Sequence, residues 1–235
     1  MCIRDRFFTG GYQGYYNDIR VLTHESTHAI HRQLMNNNGV YPVYATGPNY
    51  LFESFGIFSE FLLTDYLTGQ SKTKAEKQYY LEQFFDKGMA LFSIASDALL
   101  EQKIHEGIIS GKINNADDLD SLNNKINTLF SIWDTKSYPQ LNQRWITASL
   151  FYEDPYYEIN YVLGSMLALK YYQLYQQDRT LFCKNYLGLL KNGFNATPQV
   201  LLKNYFGIDI DNPDLVKDAI RIIRKRVDQL EEIYH

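Results

Sequence analysis

Apolar positions recur at helical spacing along most of the chain, and the breaks between these stretches carry glycine, proline or asparagine. From about Asp18 to Met35, residues Ile19, Leu22, Ala29, Ile30 and Leu34 fall on one side of a helix. Asn17 and Asp18 are its N-cap candidates and Asn36-Asn37-Asn38-Gly39 its stop. Pro48 opens a second helix to about Leu67, closed by Gly69. Thr73 with Glu76 makes a capping box for a long helix reaching about Ile109, before Gly111. Asp117 to Trp133 is a fourth helical stretch, and Ser137 to Asp154 is less regular. Pro155 suits the first turn of a helix through about Gln177. Three more follow near Thr180–Lys191, Pro198–Tyr205 and Pro213–Tyr234, the last capped by Asn212. Phe7 to Tyr16 is aromatic and glycine-rich, a loop or the end of a strand. No alternating pattern of useful length appears, so the expected class is all-α.

Composition narrows the function. With 45% apolar and 21% charged residues, the chain has an ordinary globular balance. The net charge is −4 and the basic residues are scattered, which excludes a nucleic-acid footprint and a polybasic membrane patch. No apolar run is long enough to span a bilayer and no signal peptide is visible, so the expected compartment is the cytoplasm. Cys2 and Cys183 cannot make a disulfide framework, and Cys183 reads as a core residue. Aromatic residues make up 15%, with 20 tyrosines, a bias that suits a cleft lining as well as a core.

One string carries chemistry: Thr23-His24-Glu25-Ser26-Thr27-His28-Ala29. On a helix, positions i and i+4 share a face, so His24 and His28 can grip one ion. Glu25 stands one residue on, where a carboxylate can reach a metal-bound water without being a ligand. Zinc lowers the pKa of such a water to about 7, and the carboxylate then takes its proton. Two histidines leave zinc one ligand short. Leu34 occupies the place where a third histidine would stand in a metzincin. His31 follows the same face less well and reads as a second-shell or substrate-side group. The other choice is a carboxylate on the following helix, where Glu53 and Glu60 precede Asp65.

His24-Glu25-x-x-His28-x-x-His31, followed by Phe52-Glu53-Ser54-Phe55 and Glu60, resembles the thimet oligopeptidase and oligoendopeptidase F family of zinc metallopeptidases. That signature reads H-E-x-G-H-x-x-H, with a metal-binding glutamate 25 residues beyond the second histidine, where this chain has Glu53. Thermolysin-like and aminopeptidase-like gluzincins place the glutamate nearer, where this chain has Gly47 and Pro48. Asp154-Pro155-Tyr156-Tyr157-Glu158-Ile159-Asn160-Tyr161-Val162-Leu163-Gly164 is similar to the family's tyrosine-rich segment. The resemblance implies a gluzincin-like helical catalytic domain with one Zn2+ per chain, held by His24, His28 and Glu53. It implies Glu25 as general base, Tyr157 and Tyr161 as hydroxyl donors to the developing oxyanion, and short peptides as substrates. Glu60, seven residues after Glu53, is expected to orient a ligand histidine or to face solvent. Tyr152 and Tyr156 line the cleft or pack, and Tyr171, Tyr172 and Tyr175 pack.

Two positions depart from the family pattern. Thr27 replaces the glycine before the second histidine, and Leu150 stands where a histidine usually precedes the tyrosine segment. The second departure keeps open a catalytically weak or dead helical interaction module, or a zinc hydrolase with a non-peptide substrate. Met1 to Arg6 resembles a translated sequencing-library adapter, so residues 1–6 are expected to be a scar. Residues 7–235 then form a single helical domain, the C-terminal part of a longer chain with at most a remnant of an edge strand. The missing N-terminal part is its expected partner.

Overall fold

A computed structural model describes residues 11–133 and 135–234, so residues 1–6 and the start of the glycine-rich segment lie outside the described residues. Among the described residues the regular structure is helical, with no strand. The ten α-helices are α1 (Tyr16–Asn37), α2 (Asn49–Gln70), α3 (Lys74–Ile109), α4 (Ala116–Phe130), α5 (Arg144–Thr147), α6 (Leu150–Glu153), α7 (Glu158–Gln177), α8 (Arg179–Asn192), α9 (Pro198–Phe206) and α10 (Asp214–Tyr234). The all-α class expected from the periodicity is the class observed.

Local chemistry explains the ends. Asp18 is not the N-cap of α1: it sits three residues inside, and its carboxylate accepts the amides of Gln13 at 2.9 Å and Tyr15 at 3.0 Å. The Thr73–Glu76 box forms as expected, the Glu76 amide donating to Thr73 Oγ1 at 3.1 Å and the Thr73 amide to Glu76 Oε2 at 3.3 Å. Asn115 caps α4 by accepting from the Asp118 amide at 3.1 Å. Pro155 does not open α7, which begins three residues later. The Tyr156 amide donates instead to the buried Glu101 carboxylate at 2.6 Å, with Tyr156 in the left-handed region at φ 65°. That conformation breaks the helical path, so the turn must finish before the helix starts.

The chain divides into two compact units. The first comprises the described residues up to Gly88 together with those from Leu163 onward, and the second spans Met89–Val162. The second is built on Leu100, Ile126 and Phe151, with Leu122, Phe130 and Trp145 packed against them. Its polar ties are Arg144 to Asp97 at 2.6 Å and Trp145 Nε1 donating to Asp120 at 2.8 Å.

The first unit is organised around α2. This helix buries Leu51, Phe52, Phe55, Ile57, Phe58 and Phe61 over most of its circumference, the pattern of a central helix rather than a surface one. Phe58 meets Tyr171, Tyr175, Phe182 and Tyr186 at ring centroid separations of 5.3 to 6.2 Å. The tyrosines expected to pack therefore do so. Cys183 differs from expectation: it is exposed, because Phe182 and Tyr186 take the inward face of α8. Gly193 ends α8 at φ 68°, and the Phe194 amide then donates to the Tyr44 carbonyl at 2.8 Å. A Cβ at Gly193 would stand 2.7 Å from that same carbonyl oxygen. The close turn brings Phe194 onto Phe52, with centroids 4.8 Å apart.

Removing the ring at the centre of this cluster should be costly. Phe58→Ala, at a position 2% exposed, is expected to destabilise the chain by about 3–5 kcal/mol. Val43→Ala, at a position 76% exposed, should stay within about 0.5 kcal/mol. Denaturant midpoints of both variants check this.

Candidate metal centre

Helix α1 supplies two histidines one turn apart, and α2 supplies the carboxylate. His24 and His28 turn their Nε2 atoms toward each other at 3.0 Å. The Oε2 atom of Glu53 lies 3.3 Å from His24 Nε2. One donor atom from each of the three residues falls within 4.8 Å of the other two. Two nitrogens bound to one zinc at about 2.0–2.1 Å in a tetrahedral arrangement stand roughly 3.3 Å apart. The spacing and the chemistry of the set, two imidazoles and a carboxylate, fit that ion.

The tautomer fits too. Glu60 is 2% exposed and lies 2.7 Å from Nδ1 of His24. Arg20, one turn before His24, pairs with the same carboxylate, and Lys87 of α3 comes within 2.9 Å of it. Burial pushes the Glu60 carboxyl up, but the His24 hydrogen bond and the charges of Lys87 and Arg20 outweigh it and hold it at about 2. An ionised Glu60 accepts from Nδ1–H, which leaves the His24 Nε2 lone pair facing His28 and Glu53. Burial alone would depress the His24 pKa, yet hydrogen bonds and charge from Glu53 and Glu60 raise it to about 9. The pocket thus attracts a positive charge at Nε2, which a proton supplies when no metal does. His28 is depressed by its burial and then by the His24 charge. Its Nδ1 is buried without a hydrogen-bond partner.

Glu25 is half-buried on α1, and its charge acts on His28. His31 does not join the three donors. It is 1% exposed, enclosed by Phe52, Phe55 and Phe194 at 4.9 to 5.7 Å, and burial drives its pKa down to about 3. Glu60 takes the orienting position rather than facing solvent. Helix α7 approaches α2 at Gly164, where a Cβ would stand 3.2 Å from the Cβ of Glu53 and 3.1 Å from the Tyr50 carbonyl.

The remaining sequence candidates belong to the second unit. Tyr157 and Tyr161 pack edge to face at 5.4 Å. Tyr152 is exposed and donates to the Trp145 carbonyl at 3.1 Å, while Tyr156 stacks on His105 at 4.8 Å. Leu150 is half-buried at the start of α6. Sequence reasoning missed Arg20 and Lys87. Arg20 could have been found, being four residues before His24 on the same face. Lys87 carries no such signal.

Known proteins resemble this chain along most of its length. The pattern describing Peptidase family M3 matches residues 12–222. The chain is 28% identical over 231 residues to the chromosomal oligoendopeptidase F of Lactococcus lactis subsp. cremoris, covering 97% of this chain and 37% of that protein. An oligoendopeptidase F homolog of Borreliella burgdorferi is 25% identical, with 92% of this chain and 36% of the relative covered. The chain therefore spans a little over a third of the length of these curated relatives. The crystal structure of oligoendopeptidase-F from Enterococcus faecium shares the fold at a TM-score of 0.75 and 23% identity, over 93% of this chain and 39% of that one.

The buried histidines make stability depend on pH. A group whose folded pKa lies below its unfolded value of 6.5 resists protonation only in the folded state, so acid favours unfolding. For His31 the loss begins as pH falls below 6.5 and is complete near 3. His24 and Glu60 are level between 6.5 and 4.5, because His24 is charged in both states and Glu60 ionised in both. The denaturant midpoint of the metal-free chain should therefore fall across that window, and His31→Phe should flatten the fall. An unchanged slope in the variant would assign the acid sensitivity elsewhere.

Proposed function

The chain belongs to Peptidase family M3, and from that premise we propose that it is the catalytic part of a zinc metallopeptidase that hydrolyses short peptides in the cytoplasm. The observation that carries the reading is the meeting of His24 Nε2, His28 Nε2 and the Glu53 carboxylate, with Glu25 beside them on the same helix. His24, His28 and Glu53 would hold one Zn2+. When bound, zinc acts as a Lewis acid and lowers the pKa of a ligated water to about 7. Glu25 takes a proton from the attacking water and delivers it to the departing amine nitrogen. Glu60, backed by Arg20 and Lys87, keeps the His24 ring in its metal-binding tautomer. Tyr157 and Tyr161 enter by resemblance, as hydroxyl donors to the oxyanion of the cleaved carbonyl. The curated relatives named oligoendopeptidase F support a peptide substrate. No described helix is long and apolar enough to cross a membrane.

Metal analysis and turnover separate ligand from base. The chain should retain about one zinc after dialysis, and Glu53→Ala should lose it. A Glu53→Ala chain with full zinc would remove that residue from the ligand set.

Glu25→Gln should keep its zinc but cleave a quenched fluorescent peptide at least ~100-fold more slowly, since it removes the base and spares the ligands. Near-normal turnover would show that Glu25 is not the base.

A further inference from the structure

The second unit holds a buried carboxylate that the proposed peptide chemistry leaves unused. Glu101 of α3 is 2% exposed, where an ion persists only with hydrogen-bond donors around it. Its Oε1 atom accepts the Tyr156 amide at 2.6 Å, across 55 positions of sequence. Tyr156 needs such a hold. Among the described residues it is the one non-glycine residue at positive φ, a conformation that L side chains rarely adopt. His105, one helical turn after Glu101, stacks on the Tyr156 ring at 4.8 Å, and its Nε2 lies 3.9 Å from Glu101 Oε1. One stretch of α3 thus takes both the amide and the ring of a single residue.

The turn at Tyr156 decides where the chain goes next. The Tyr157 amide donates to the Asp154 carbonyl at 3.1 Å. The Tyr157 carbonyl accepts from the Asn160 amide at 2.9 Å and from Asn160 Nδ2 at 3.0 Å as α7 begins. Tyr161 stands one helical turn beyond Tyr157 and packs against its ring. We propose that Glu101 is a positioning residue for these two tyrosines: by fixing the turn at Tyr156 it sets the start of α7, and with it the places of the Tyr157 and Tyr161 hydroxyls. The inference rests on the reading of those hydroxyls as oxyanion donors and deepens it. Without an acceptor at Glu101, Tyr156 relaxes toward negative φ and the peptide that follows it turns as well.

Two substitutions separate the hydrogen bond from the space that the side chain fills. Glu101→Gln keeps an acceptor oxygen, whereas Glu101→Met occupies a similar buried volume without one. Amide exchange over residues 154–158 is read by mass spectrometry on the 235-residue chain. It should quicken at least ~10-fold in Glu101→Met, because a bond to a charged acceptor is lost and the turn opens. Glu101→Gln should stay close to the parent. On a quenched fluorescent peptide, Glu101→Met should lower kcat at least ~10-fold with little change in KM, since a misplaced donor acts on the chemical step. In a chain carrying Tyr157→Phe and Tyr161→Phe together, the same substitution should barely change kcat, the groups it positions being gone. Unchanged exchange in Glu101→Met overturns the inference. So does exchange as fast in Glu101→Gln as in Glu101→Met, or an equal loss of kcat with and without the two tyrosine hydroxyls. A parent chain without turnover counts instead against the peptidase reading, and a Tyr157→Phe, Tyr161→Phe chain as fast as the parent against the oxyanion reading. In both cases the exchange measurement still decides whether Glu101 holds the turn.

Discussion

A carboxylate buried in an apolar helix has to be neutralised where it stands, and Glu60 sets that demand on α2. A lone ion away from water is too unfavourable to persist, so it draws partners or gives up its charge. Here it draws three: Arg20 and His24 from α1 and Lys87 from α3. Those contacts tie three helices together at one point. They also dictate the orientation of a single imidazole, because the ring that neutralises Glu60 through Nδ1 can offer only Nε2 to anything else. The pairing that holds the helices together thus aims the His24 Nε2 atom at His28 and Glu53.

The other faces of α2 explain why that aim is kept. Phe55, Phe58 and Phe61 are locked among aromatic rings of α3, α7 and α8, including Phe84, Tyr171, Phe182 and Tyr186. Close-packed interiors do not deform by small amounts, so a carboxylate carried on such a helix is placed and not merely tethered. The high aromatic share of the chain finds its use here, as filling for the interior behind the site.

Two local preferences are overridden around the centre. A glycine sits inside a helix at Gly56, and a fully buried histidine, His31, is held neutral in an aromatic box. Each costs stability in isolation. Their concentration around one group of donors is the pattern expected where a fold is bent to chemistry. A histidine kept neutral by burial takes up its proton more readily once the chain unfolds, so the same concentration works against the fold in acid.

Much of this was written in the residue order. The helical period, the Thr73–Glu76 box and the glycine stops delimit the long helices because those signals act within a few residues. The pair His24 and His28 is local for the same reason, as one helical turn puts them on one face. Glu53 could be singled out only through the resemblance, and Glu60 stood equally well as a solvent carboxylate. Which of them came beside Nε2 and which beneath Nδ1 was decided by how α1 lies on α2. That packing buries Glu60 under His24 Nδ1 and leaves Glu53 beside Nε2. Lys87 was invisible for a deeper reason. A lysine 27 positions from its partner carries no periodic or pairwise signal. His31 sits on the motif helix, yet tertiary packing enclosed it in rings instead of turning it toward His24, His28 and Glu53. Short-range chemistry is legible along the chain because its partners are neighbours on one element, whereas burial, charge pairing and excluded volume exist only once separate elements have met.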